Sequence, residues 1–293
     1  DLTVREESAE FLRRLETGEN LPLMTSCCPA WVKYVENERP EFLKNLSTAR
    51  SPMQMFASVL KENYRKKDAE DGRTTFHIAI MPCTAKKMEA RREEFRDAYG
   101  VPYVDLVLTT QEVVQMMKES GIRFQMLEKE SPDLPYGMGS GAAEIFGTSG
   151  GVAEAVIRCC TPDKSKNALR TIEHSGIRGT DAVRFAEVTI NGRKVRAAIV
   201  HGLGSAAKLL DQIRSGEVQA DLVEVMSCRT GCVGGAGQPY ALMAKKLQRA
   251  QGLYEIDRSA MFKRSERNPV IDAMYDRGLA ERAHELLHVE YKD

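Results

Sequence analysis

The sequence predicts an α/β fold built on mainly parallel sheet. Short apolar runs of strand length alternate with longer amphipathic runs of helix length through most of the chain. Helix-capping and turn residues fall at the joins between them. At 293 residues and 42% hydrophobic content, the chain can bury one large core or two modest ones. Residues 4–17 read as an amphipathic helix and "LPLMTS" (21–26) as a strand. "SPMQMFASVLKENYRKK" (51–67) reads as a helix opened by a serine cap with proline in its first turn. "TTFHIAIM" (74–81) and "VDLVLTT" (104–110) read as buried strands, and "QEVVQMMKESG" (111–121) as a helix closed by Gly121. In "AEVTINGRKVRAAIVHG" (186–202) the Asn191-Gly192 pair marks a tight hairpin turn. A helix at 205–217 and a final buried strand, "DLVEVMS" (221–227), complete the pattern, with no internal repeat or low-complexity linker.

Composition narrows the function. Lysine plus arginine equals aspartate plus glutamate, 42 against 42, which argues against a nucleic-acid binder. No apolar run approaches the length of a membrane span. The first residues, "DLTVREESAEFLRRLE", lack methionine and a signal-peptide pattern, and read as a cut within a longer chain. An odd number of cysteines, seven, with two adjacent pairs, makes a poor disulfide framework. Metal or redox chemistry in a reducing, cytoplasmic compartment fits better, with a periplasmic one left open by the truncated front.

The cysteines fall at informative places. Cys27 and Cys28 follow the strand "LPLMTS", Cys83 follows "TTFHIAIM" and Cys228 follows "DLVEVMS". Ligands of parallel sheets gather outside the carboxyl ends of strands. Three strand ends that each deliver a thiol therefore suggest a single centre. Zinc knuckles favour two short cysteine pairs, and only Cys228 and Cys232 offer one. The histidines add no ligands: His77 reads as part of a strand, and His284 and His288 as a solvated face of a C-terminal helix. Converging thiolates suit an iron–sulfur cubane, which needs soft ligands and shelter from water. The glycines of "GCVGGAGQP" would let backbone approach something bulky. Lys86, three residues after Cys83, could pair with an anionic ligand there.

Three motifs in order, "TSCCPAW" (25–31), "MPCTAKKME" (81–89) and "EVMSCRTGCVGGAGQP" (224–239), resemble those of the catalytic domain of FeFe hydrogenases. "GSGAAEIFGTSGGVAEAV" and the tail "RAHELLHVEYK" are similar to the family as well, so the resemblance spans essentially the whole chain. It implies two lobes of mainly parallel, twisted β-sheet flanked by helices, with the metal cluster in the cleft between them. Residues 1–293 would form one catalytic domain, incomplete at its N-terminus, with a helical tail at about 240–293. The implied cofactor is the H-cluster, a 4Fe-4S cubane bridged by cysteine to a diiron subsite that carries CO, cyanide and an azadithiolate. By position, Cys28, Cys83 and Cys228 would ligate the cubane, and Cys232 would be the bridging thiolate. Lys86, Ser51 and Pro52 would hold cyanide ligands, and Met81, Met226 and Phe146 would wall the diiron pocket. Cys27 would exchange protons with the bridgehead amine. The implied partners are protons and H2, a ferredoxin or other electron-transfer protein or subunit, and dedicated maturation proteins.

The resemblance also implies a proton relay from Cys27 through a water to Glu7, Ser47 and Glu10, then Arg14 toward solvent. Glu7, Glu10 and Arg14 are spaced so that they share one face of the first helix. Some motif positions depart from the family pattern: Ala30 for glycine, Ser227 for alanine, "RTG" for "xGG", Met53 for glutamine, and Ala236 within the glycine triplet. These put tuning in doubt, not the cofactor. A small-residue, Pro-containing pocket loop and ferredoxin-like clusters, usual ahead of this region, are absent. Cys159 and Cys160 read as buried structural thiols. Three alternatives stand beside this reading: a eukaryotic iron–sulfur assembly protein, a hydrogenase-derived sensor, and a zinc-stapled scaffold. Cys27 argues against the first two, and Lys86 with the strand-end geometry against the third.

Overall fold

The strand signals resolve into two separate sheets, one in each lobe. The computed structural model describes residues 1–134 and 136–292. The first lobe begins with α1 (Leu2–Thr17), β1 (Leu23–Met24) and α2 (Pro29–Glu38). The second holds α3 (Pro52–Asp71), β2 (Ile78–Met81), α4 (Ala85–Glu89), β3 (Leu106–Thr109) and α5 (Thr110–Glu119). The chain then returns through α6 (Gly141–Glu144), α7 (Gly151–Cys160) and α8 (Lys166–Ile172) to the hairpin β4 (Val183–Ile190) and β5 (Arg193–His201). The helix α9 (Leu203–Ser215), strand β6 (Leu222–Met226) and tail helices α10 (Met243–Ser259), α11 (Pro269–Met274) and α12 (Ala280–Leu287) follow. No helix among the described residues is long and apolar enough to cross a membrane.

The larger sheet has the order β1-β6-β5-β4, parallel except for the β4–β5 hairpin. Asn191 and Gly192 both take positive φ (50° and 79°), which a two-residue hairpin turn of this hand requires. Alternation along the strands splits the core into two layers. Leu23, Ala197, Ile199 and Leu222 pack with Phe11 of α1 and Val156 and Ile157 of α7 on one face. Met24, Ala198, Val200 and Val223 pack with Trp31 and Val35 of α2 and Leu209 of α9 on the other. Both faces of β6 are thus covered, and all five of its residues are buried. Side chains as large as Phe11 and Trp31, fully buried, contribute roughly 1.5–3 kcal/mol each.

The smaller sheet departs from expectation. Strands β2 and β3 pair in parallel, Ile78 with Leu106 through Met81 with Thr109, but they are not buried on both faces. Ala79, Met81 and Val107 pack against Met53 and Ala57 of α3. The alternate residues Ile78, Ile80 and Leu106 are 54%, 57% and 41% exposed. Among the described residues only one face of this two-stranded sheet is covered, so a continuous apolar run does not make a strand buried on both sides. Smaller corrections follow from pairing. β1 shrinks to two residues because only Leu23 and Met24 enter the ladder with β6, although the Thr25 amide still donates to the Val223 carbonyl. His77 precedes β2 and bonds through Nδ1 to the Tyr103 carbonyl.

Helix α7 is almost wholly buried, although Glu154 and Arg158 share one of its faces. Its charges pair internally: Arg158 Nη2 lies 2.6 Å from Glu154 and 2.8 Å from Asp257 of α10. Arg178 adds a contact to Glu154 at 2.7 Å. This network ties the tail helix to the first lobe. Cys160 is buried in the core as expected, while Cys159 is only half-buried.

Candidate metal centre

The carboxyl ends of β1, β2 and β6 point into one cavity between the lobes, of about 170 Å³. Each strand turns there into a segment whose backbone is committed locally. Cys28 caps α2, with its carbonyl accepting from the amides of Trp31 (3.1 Å) and Val32 (3.0 Å), while Pro29 occupies the first turn, where no amide is needed. Cys83 lies between β2 and α4, and Cys228 and Cys232 lie on the turn after β6. The cavity is lined by all five of these thiols, Cys27, Cys28, Cys83, Cys228 and Cys232. Of the other candidates, Lys86, Pro52, Met81, Met226 and Phe146 line it too. Ser51 does not: its hydroxyl donates to Glu89 Oε2 at 3.0 Å and accepts from the Gln54 amide, which fixes it as the cap of α3.

The glycines of the third motif serve close backbone packing. A Cβ on Gly235 would stand 2.2 Å from the Pro82 carbonyl oxygen, and one on Gly237 2.6 Å from the Cys83 amide. Gly237 also donates its amide to Pro82 at 3.0 Å. Gly231, at φ 83°, sits against the backbone of residues 147–149. These contacts clamp the Cys228–Cys232 turn onto the Cys83 segment. The glycines let chain approach chain; the expected approach to a bulky ligand is confined to Gly231 and Gly235, which also line the cavity.

Burial disfavours the charged form of four of these thiols. Burial pushes the Cys232 thiol up to about 12, with neighbouring Cys28 and Cys83 adding to the rise. Cys83 and Cys228 are raised chiefly by burial as well. Cys27 is raised well above the usual thiol range by burial, then by Glu7 and the other thiols. These thiols therefore rest protonated, and a coordinated metal would deprotonate them outright. Four soft donors from three strand ends suit an iron–sulfur cluster better than a hard cation. All seven cysteines are free thiols.

Lys86 is buried, and its Nζ bonds both Glu89 oxygens (3.0 and 2.8 Å) and the Cys27 carbonyl (3.2 Å). Burial works to lower its pKa, but Glu89 outweighs this and leaves the ammonium above its usual value. Glu89 was missed in the sequence although it lies within the second motif; the three-residue spacing from Lys86 was the available signal.

Behind Cys27 lies a buried polar track. Glu7 is 1% exposed, its Oε2 has no hydrogen-bond partner, and its carboxyl is pushed up to about 8. Burial is the main cause, followed by the Glu10 carboxylate. Glu10 is 4% exposed; its Oε2 accepts from Ser47 Oγ at 2.9 Å and from the Thr48 amide at 3.0 Å. Its Oε1 accepts from Arg14 at 2.5 Å. Neither carboxylate is a solvated helix charge. Arg14 is buried too, contrary to its expected place toward solvent, because the carbonyls of Asn20, Lys44, Asn45 and Leu46 take up its guanidinium. A second buried carboxyl, Glu224 of β6, was also not singled out. It accepts from the Gly150 (2.6 Å) and Ala153 (2.8 Å) amides, and burial pushes it up to about 7.

Comparison with known proteins agrees with this arrangement. The family described as the iron only hydrogenase large subunit, C-terminal domain, matches residues 1–236. The iron hydrogenase small subunit family matches residues 243–293. The chain is 39% identical over 303 residues to the NADP-reducing hydrogenase subunit HndD of Solidesulfovibrio fructosivorans, covering 99% of this chain and 52% of that protein. It is 37% identical to iron hydrogenase 1 of Clostridium pasteurianum, over 100% of this chain and 52% of the relative. The chain thus spans about half the length of these relatives. Cytosolic iron-sulfur assembly component 3 of Mus musculus is 30% identical, over 99% of this chain and 64% of its own. Among solved structures, an apo FeFe hydrogenase variant from Chlamydomonas reinhardtii superposes with a TM-score of 0.82 at 34% identity, covering 99% of this chain and 82% of that one.

Proposed function

Because the chain belongs to the iron-only hydrogenase large-subunit family, we propose that it is the catalytic part of an FeFe hydrogenase that interconverts protons and H2. When bound, the H-cluster supplies the redox chemistry. Cys28, Cys83 and Cys228 would hold its cubane, and Cys232 would bridge to the diiron subsite with its CO, cyanide and azadithiolate ligands. Lys86 and the backbone near Pro52 would face the cyanides, while Met81, Met226 and Phe146 exclude water. Lys86 would exchange part of its pairing with Glu89 for the anionic ligands, so Glu89 serves as a placeholder that keeps the ammonium charged and aimed.

The observation that carries the reading is Glu7. Its carboxyl is buried, has an unpartnered oxygen, and is near enough to influence the Cys27 thiol on one side and to be influenced by Glu10 and Ser47 on the other. A buried carboxyl left without a partner is costly in a merely structural role. With a pKa raised toward the working pH, it can take and release protons. Cys27, a neutral thiol in this setting, would exchange a proton with Glu7 through a water, and Glu7 with Glu10 by way of the Ser47 hydroxyl. Arg14 would orient Glu10 and stabilise its charge.

The 30% identity to an iron–sulfur assembly component favours a second reading, in which the chain binds a cubane without turning over H2. Cys27 and the filled relay positions speak against it. Infrared spectroscopy and H2 assays of protein produced with the maturation proteins separate the two. CO and cyanide bands with H2 evolution are expected; a cubane without those bands would favour the assembly reading. The activity further implies an electron donor such as a ferredoxin or partner subunit.

A further inference from the structure

The relay proposed above needs an exit from Glu10, and Arg14 does not provide one. Its guanidinium is held by four backbone carbonyls and Glu10, and an arginine keeps its protons at any working pH. On its other side, Glu10 borders a second cavity, of about 610 Å³, that opens between α1 and the C-terminal tail. Glu6, Arg13, Thr48, His284 and His288 share its lining.

Resting on that relay, we propose that His288, seated between Thr48 and Glu6 and backed by His284, is the proton-exchange residue that joins Glu10 to solvent. Both ring nitrogens of His288 are engaged: Nδ1 lies 2.8 Å from Thr48 Oγ1 and Nε2 2.9 Å from Glu6 Oε2. Thr48 is the link inward, because its amide donates to Glu10 Oε2 at 3.0 Å and its hydroxyl can both donate and accept. Outward, the ring stacks on His284, with centroids 5.9 Å apart. His284 is exposed, His288 half-buried and Glu10 buried, so the three form a graded series from solvent to interior.

The tail is pinned where this requires it. Val289 donates its amide to the Thr48 carbonyl at 2.8 Å, and Arg50 Nε donates to the His288 carbonyl at 2.8 Å. The charged groups around the imidazole come from several elements. Helix α1 contributes Glu6, Glu10 and Arg13, and the tail contributes His284 and Glu290. Arg50 holds the backbone, and Tyr275, with Arg5 over its ring, bonds the far oxygen of Glu6. Burial acts to raise Glu6, but hydrogen bonds from His288 and Tyr275 prevail and hold it below the usual carboxylate range. Glu6 therefore stays an acceptor that orients the ring. Glu6 holds the Nε2 proton, so Nδ1 is the exchanging nitrogen. During H2 formation, a proton from cavity solvent binds Nδ1 and leaves from Nδ1 through the Thr48 hydroxyl and cavity solvent to the Glu10 carboxylate. Ring charge and tautomer are both restored at each passage, and no electron moves.

The test uses H2 evolution by the matured protein with a reduced viologen as donor, so that no protein partner is needed. H288A should lower turnover at least tenfold with iron content and CO and cyanide bands unchanged, and millimolar imidazole should restore it. T48V, which keeps the Thr48 amide, should show a similar loss that imidazole does not restore. Full activity of H288A, or a loss that imidazole leaves untouched, would overturn the assignment. An independent arm needs no cofactor: the His288 titration, followed by NMR in the apo protein, should move when Glu10 is replaced in E10Q. An unmoved midpoint overturns the proposal even if wild type makes H2. If wild type makes none, the hydrogenase reading falls, and the titration alone decides whether His288 and Glu10 are coupled.

Discussion

Replacing Glu7 by Gln should stabilise the fold at alkaline pH while removing its proposed chemistry. The Glu7 carboxyl is pushed from 4.5 to about 8, by burial first and then by Glu10 and Glu224. A carboxyl raised in this way binds its proton more tightly in the folded than in the unfolded chain. Stability is therefore highest below the unfolded value of 4.5 and falls as pH rises toward about 8. The full shift corresponds to roughly 5 kcal/mol of stability lost by about pH 9. Glutamine cannot ionise, so the variant escapes that loss. It still buries an amide in place of a protonated carboxyl, at a cost of about 1–2 kcal/mol at any pH. Urea unfolding of the apo protein should thus find E7Q equal to or slightly below wild type at pH 5 and about 3 kcal/mol above it at pH 9. The slope will not vanish in the variant, because Glu224, pushed up to about 7, adds its own. Turnover of the matured variant should fall by about 10²–10⁴-fold, the range of a lost proton-transfer group. A stability difference that does not change with pH would mean Glu7 is ionised and paired in the folded state, and would refute the reasoning.

C27A should retain iron content and the CO and cyanide bands yet lose most H2 turnover; near-normal rates would remove Cys27 from the relay. G235A sets a Cβ 2.2 Å from the Pro82 carbonyl and should cut iron uptake on anaerobic reconstitution, as read by iron-to-protein ratio. Gly204 has nothing within 4 Å of an added Cβ, so G204A should bind iron normally and unfold about 0.5–1 kcal/mol later. Arg158→Ala leaves buried Glu154 and Asp257 facing one another, and should cost about 3–5 kcal/mol in denaturant unfolding; a loss under 1 kcal/mol would show that Arg178 suffices.

Much of this arrangement was legible in the chain because it depends on local rules. Apolar alternation marked the strands, Asn191-Gly192 the hairpin, and Ser51-Pro52 the start of α3. Parallel pairing brings the thiols after β1 and β6 to one sheet end, but Cys83 follows a strand of the other sheet, and its convergence on them depends on how the lobes face each other. What escaped depends on partners far away in sequence. Ile78 and Ile80 look like core residues, but only the fold shows that their side of β2 is uncovered. Glu154 and Arg158 of α7 look like a solvated face by their spacing, but Asp257 and Arg178 from distant segments cover them. Glu89 looks like an ordinary surface acid until Lys86 closes on it, and Glu224, inside a strand read as buried, has no visible partner until the start of α7 supplies one. His288, read as part of a solvated face, is held by Glu6 and Thr48 from elements 282 and 240 residues away. Ser51 was expected to hold a cyanide ligand, yet its hydroxyl is already committed to Glu89 and the helix cap.

The central claim is that Cys28, Cys83, Cys228 and Cys232 hold an H-cluster. Infrared spectroscopy of the protein produced with hydrogenase maturation proteins tests it most directly. The account predicts bands from iron-bound CO and cyanide in the wild type and their loss in C232A, whose remaining three thiols would still hold a cubane. A wild type that carries iron and sulfide but shows no such bands would contradict it.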